Sequence, residues 1–148
     1  MPVVGIGIRK IEASRNELSE RGMGVGQSPH VKDMKKTKID ALGAEGLEIS
    51  YEYVFDYKGA DRKKLIANIT FSGEAVYLPE KGDDLEELLA KWKKEKRVPS
   101  KIFVPVVNTI IRRCVSRALV LAEDLNLPPP INIPIVRIEK KKKDVEAG

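Results

Sequence analysis

The sequence predicts an α+β domain, in which an antiparallel sheet of about four strands carries a short and a long helix on one face. Alternating apolar residues dominate the first half of the chain and helical apolar periodicity the second, and strands followed by helices is the α+β order. The two longest alternating stretches are joined by a short polar link, which makes them an antiparallel hairpin. At 148 residues and 42% hydrophobic, the chain can bury one sizeable core.

The first strand comes from "VVGIGIRKIEA", where Val4, Ile6 and Ile8 alternate and the phase then slips to Ile11 and Ala13. One extra residue near Arg9 and Lys10 exchanges the faces, so a β-bulge is expected there. The glycines of "RGMGVGQS" (21–28) lack the spacing of a dinucleotide fingerprint or a P-loop and read as a connector. "VKDMKKTKIDA" then offers either a polar edge strand or a loop, its lysines suiting an edge that must not recruit other chains.

From Leu47, Ile49, Tyr51, Tyr53, Phe55 and Tyr57 the period is strictly two, the strongest strand signal in the chain. "KGADRK" makes the turn, and Leu65, Ala67, Ile69, Phe71, Ala75 and Tyr77 return. Ile66, Val54, Val76 and Leu78 fall on the opposite face by the same period, which would leave an apolar area there for a partner.

Asp83 or Asp84 can cap a helix through "DLEELLAKWKKEK", whose acids lead and lysines trail in accord with the helix dipole. After Ser100 a longer helix places Val107, Ile110, Ile111, Cys114, Ala118, Leu121, Ala122 and Leu125 on one half, with Pro105 near its first turns. Pro128, Pro129 and Pro130 are expected to stop it. Ile131, Ile133 and Ile135 then alternate as a short closing strand. A single domain over residues 1–139 and a basic tail over 140–148 follow.

Catalytic chemistry finds no support. The one cysteine, Cys114, lies on an apolar helical face, and the one histidine, His30, in a polar stretch. No metal-ligand spacing and no nucleophile elbow occurs, so neither an enzyme, a metal site nor a cofactor is expected. No apolar run reaches membrane-spanning length and the first residues lack a signal-peptide pattern, so the expected place is the cytoplasm. Charged residues reach 33%, with Lys, Glu and Arg abundant as in thermophile proteins.

The net charge of +5 favours an anionic partner. Lys32, Lys35, Lys36 and Lys38 crowd one segment, Arg112, Arg113 and Arg117 share the polar half of the long helix, and Arg137 with Lys140, Lys141, Lys142 and Lys143 forms the tail block. These twelve are the expected RNA contacts, made to phosphates and positioning rather than reading sequence.

The segment "KIFVPVVNTIIRRCVSRALVLAEDLNLPPPINIPIV" resembles the closing helix of the SecB preprotein-export chaperones and of archaeal SecB-like proteins. The likeness rests on Phe103 and Pro105 at the helix entry and on Leu127, Pro128, Pro129, Pro130, Asn132, Ile133 and Pro134 at its exit. The upstream element order agrees across nearly the whole chain. The resemblance implies a four-stranded antiparallel sheet with helices on one face, dimerisation through a sheet edge or the long helix, and an apolar groove for non-native chains. Members of that family are acidic, whereas this chain is basic and ends in "IVRIEKKKK". The expectation drawn from charge is therefore a ribosomal or ribosome-associated protein that binds rRNA. The alternative is a SecB-like holdase, a homo-oligomer that binds unfolded polypeptide.

Overall fold

A computed structural model describes residues 3–17 and 21–131. Four strands, β1 (Val3–Arg15), β2 (Gly24–Ile39), β3 (Ala44–Lys58) and β4 (Leu65–Tyr77), precede two helices, α1 (Leu85–Glu95) and α2 (Ser100–Asp124). The sheet runs β1-β4-β3-β2 and every neighbouring pair is antiparallel. The expected α+β architecture, with both helices on one face, is what the chain adopts.

The period-two pattern of β3 and β4 sets the core. Leu47, Ile49, Tyr51, Tyr53, Phe55 and Tyr57 of β3, and Ala67, Ile69, Phe71, Ala75 and Tyr77 of β4, are all buried because they share the face beneath the helices. On α2, Ile102, Val106, Ile110, Cys114, Ala118 and Ala122 are buried, one every fourth residue. A four-residue step advances about 40° around an α-helix, so the buried line winds along α2, which packs on β1, β4 and β2.

β1 carries the expected bulge, between Ile8 and Lys10. It keeps Ile6 and Ile8 on the same face as Ile11 and Ala13, opposite helix-face residues of β4. The bulge also brings the Gly7 carbonyl over Gly73 of β4, where an added Cβ would lie 2.0 Å from its oxygen. That close approach needs glycine. Tyr51 of β3 spans the space that Gly73 leaves and donates from its hydroxyl to the same carbonyl at 2.9 Å.

Three expectations are revised. β2 is an edge strand that begins at Gly24, so most of the glycine-rich stretch and His30 lie in the sheet and not in a connector or loop. Glycine weakens a strand but is held here by pairing to the long β3, continuous from Gly24 to Val31 and resumed at Asp33 after a register shift. Ile66 occupies an irregularity between the pairs Tyr57–Ala67 and Lys58–Leu65 and joins the core, leaving only Val54, Val76 and Leu78, each partly exposed, of the four residues assigned to the far face.

The third concerns the end of α2, which stops before the prolines. Asn126 is left-handed at φ 58°, Leu127 N–H bonds Ala122 C=O at 2.8 Å, and Asn126 N–H bonds Glu123 C=O at 3.1 Å. This is a Schellman motif, which satisfies the last carbonyls by itself. Residues 132–148, including the Ile133 and Ile135 part of the expected closing strand, lie outside the described residues.

Candidate functional site

α1 begins where Asp84 accepts hydrogen bonds from the amides of Glu86 and Glu87, which settles the cap between the two expected aspartates. Asp83 instead accepts from the Glu80 amide at 2.7 Å and meets Lys101 at 2.5 Å. Those contacts hold its carboxyl below the usual carboxylate range, the Lys101 hydrogen bond foremost. The pair ties the turn before α1 to the first turn of α2, and so fixes the connection between the helices.

At its far end α1 stops on Lys96, left-handed at φ 54° with its amide bonded to the Trp92 carbonyl. The same residue carries its ammonium 5.1 Å from the Trp92 ring centroid, a cation–π contact. Trp92 is 5% exposed and its indole N–H reaches Asp33 Oδ1 at 3.3 Å. Lys36 meets Glu86 at 2.5 Å, so α1 is pinned at two points along β2. These restraints place an open groove of about 410 Å³ between β2 and the α1–α2 connection. Pro29, His30 and Val31 line one side, and Trp92, Lys96, Arg97, Val98 and Phe103 the other.

The groove's character follows from what borders it. Among the described residues β2 pairs with β3 on one side only, so its outer backbone edge runs along the groove. The apolar wall of Pro29, Val31, Trp92, Val98 and Phe103 is interrupted by cations at Lys96 and Arg97. Phe103 is 38% exposed and its neighbour Val104 is 53% exposed, which extends the apolar surface along the first turn of α2. Beneath, Tyr53 stacks at a tilt on Phe55, centroids 4.6 Å apart, and its hydroxyl donates to Gln27 of β2. Burial pushes the Tyr53 hydroxyl up to about 12. The surface suits an extended chain with alternating apolar side chains and some negative charge, and it lacks a reacting constellation.

The sequence-expected contacts are dispersed. Lys32 lies 3.9 Å from Glu52, Lys35 3.5 Å from Glu48, and Lys36 is committed to Glu86, so three of the four β2 lysines already face carboxylates. Lys38 is exposed near the β2–β3 turn. Arg112, Arg113 and Arg117 are exposed together on α2. Arg137, Lys140, Lys141, Lys142 and Lys143 lie outside the described residues. Trp92 and Phe103, which shape the groove, were not among the expected contacts. Their signal was present: Trp92 belongs to the apolar stripe of α1, and Phe103 precedes the helical proline.

Elsewhere, Cys114 is buried and its thiol is pushed up to about 11 by burial. No group of three or more His, Cys, Asp or Glu among the described residues could hold a metal ion. No helix among them is long and apolar enough to cross a membrane.

No protein-family model matches the sequence, and no curated protein is significantly similar to it. A solved structure does match: a SecB-like chaperone of Mycobacterium tuberculosis, in complex with a ChAD peptide from the HigA1 antitoxin. The two chains are 12% identical, with a TM-score of 0.53 over 93% of this chain and 91% of that one. The neighbour is a chaperone solved with a peptide, and with three of the four β2 lysines internally paired this corrects the expectation of an rRNA-binding ribosomal protein. The fold is SecB-like.

Proposed function

We propose that this protein is a non-enzymatic, cytoplasmic chaperone that holds extended, non-native polypeptide in the groove beside β2. The observation that supports this reading is the groove itself, with Trp92 and Phe103 set against a strand edge that has no partner among the described residues. An extended chain can add main-chain hydrogen bonds along such an edge while alternate side chains enter apolar pockets. Lys96 and Arg97 favour clients with acidic residues beside the apolar ones. That the structural neighbour was solved with a peptide supports the same class of ligand.

The test uses Trp92, the only tryptophan in the chain, as a built-in reporter. Addition of an unfolded client should change its fluorescence saturably, and the protein should suppress aggregation of a refolding client at stoichiometric amounts. Phe103→Asp should weaken both effects about tenfold or more, since it places a charge on the apolar wall. No suppression together with unchanged Trp92 emission would sink the reading.

A further inference from the structure

The sheet face away from the helices is lined by mated charges. Across strands, Arg9 forks onto Glu74 at 2.8 and 3.0 Å and Lys32 and Lys35 face Glu52 and Glu48; within β1, Lys10 lies 3.5 Å from Glu12. At the β3–β4 hairpin end the pattern breaks. Lys58 and Arg62 are exposed, and neither makes an ion pair among the described residues. They border a hollow of about 510 Å³ whose floor is Gly24 and Gly26, with Ser28 and Asp56 completing the wall.

Arg62 is held there at a cost. The turn closes through Arg62 N–H to Gly59 C=O at 2.8 Å and Gly59 N–H to Lys64 C=O at 3.0 Å, leaving Arg62 left-handed at φ 63°. Glycine is the favoured residue for that conformation, and a side chain costs about 1–2 kcal/mol. The guanidinium turns its Nη1 toward Gly24, where an added Cβ would meet that nitrogen at 1.8 Å. A strained arginine, a glycine that alone makes room for it, and an unmated lysine therefore converge on one concavity. The turn sets the left-handed backbone but would accept glycine, so an arginine kept there at a cost points to a function for the side chain it positions.

Asp56 decides which anion fits. One of its oxygens accepts from Asn68 Nδ2 at 2.7 Å, and the carboxylate lines the hollow. An anion held by Arg62 and Lys58 beside a carboxylate must donate a proton to it or be repelled. We propose that the hollow binds free inorganic phosphate, with Arg62 and Lys58 on its charged oxygens, Ser28 at the rim, and its protonated oxygen donating to Asp56. Sulfate at neutral pH has no proton to offer. A phosphomonoester loses its last proton near pH 6, so at about pH 8 only the inorganic ion still carries one.

The experiment is thermal denaturation of the full chain at about pH 8 and constant ionic strength, with inorganic phosphate, sulfate or glycerol phosphate as the only variable anion. Phosphate should raise the midpoint saturably, and the other two should bind at least about tenfold more weakly. Arg62→Gly should raise the midpoint without anion, since it relieves the left-handed strain, and abolish the response to phosphate. Asp56→Asn should admit sulfate. Equal shifts with phosphate and sulfate, or a full phosphate response in Arg62→Gly, would overturn the assignment.

Discussion

Replacing Gly73 by alanine tests the central packing arrangement directly. The new Cβ would stand 2.0 Å from the Gly7 oxygen and 3.0 Å from the Gly7 carbon and Ile8 Cα. All three are backbone atoms of β1, so no side-chain rotation relieves the clash. Reaching ordinary contact near 3.4 Å requires β1 to retreat by about 1.4 Å, an overpacking that costs about 1–3 kcal/mol. The retreat also breaks the Tyr51–Gly7 hydrogen bond, adding about 1 kcal/mol. The expected loss is about 2–4 kcal/mol, or roughly 5–15 °C in Tm for a chain of this size. Chemical denaturation of wild type, Gly73→Ala, Tyr51→Phe and the double variant measures it. Because the displaced strand has already lost the Tyr51 bond, the two effects should be sub-additive. A Gly73→Ala variant within about 0.5 kcal/mol of wild type, or strict additivity, would refute the packing described for this site.

Other outcomes are expected. Burial raises Tyr51, Tyr53, Tyr57, Tyr77 and Cys114 above their ordinary values, so the folded state keeps protons that the unfolded chain releases. Stability should hold level below about pH 9 and fall as the pH climbs from there towards 12, with denaturation midpoints at a series of pH values as the readout; a midpoint unchanged up to pH 11 would contradict it. Native Cys114, buried and with its thiol held up at about 11, should resist alkylation at neutral pH and react only on unfolding, as mass spectrometry can follow. Asp84→Ala removes the cap of α1 and should cost about 1 kcal/mol; because α1 bears Trp92, client affinity should drop with it, measured by the fluorescence titration.

The sheet was legible because β3 and β4 obey one rule, burial at every second residue, over their whole length. The β1 bulge was legible for the same reason, since a phase slip has a single cheap explanation. β2 was hidden in part. An edge strand buries little, and its glycines and lysines carry no apolar period; only Met34 of β2 is fully in the core. Ile66 misled because periodicity cannot register an irregularity next to a turn. The basic residues were visible as a composition, but the carboxylates that meet them come from β3 and α1, and no local pattern records pairing across strands. The groove assembles from β2, α1 and the start of α2, so its residue types could be read while their meeting could not.

Three tyrosines of β3 send their hydroxyls outward to three different parts of the molecule. Tyr51 reaches the β1 backbone, Tyr53 a side chain of β2, and Tyr57 the Pro128 carbonyl beyond α2. The strand is thus a hub whose spokes are separate, and each flank can let go without the others. Hydrogen exchange should then show nested openings, with the amides of β1, β2 and the chain after α2 exchanging in independent groups and those paired between β3 and β4 last. Under the proposed function that order is useful: the edge beside the groove can yield to a client while the hub keeps the fold.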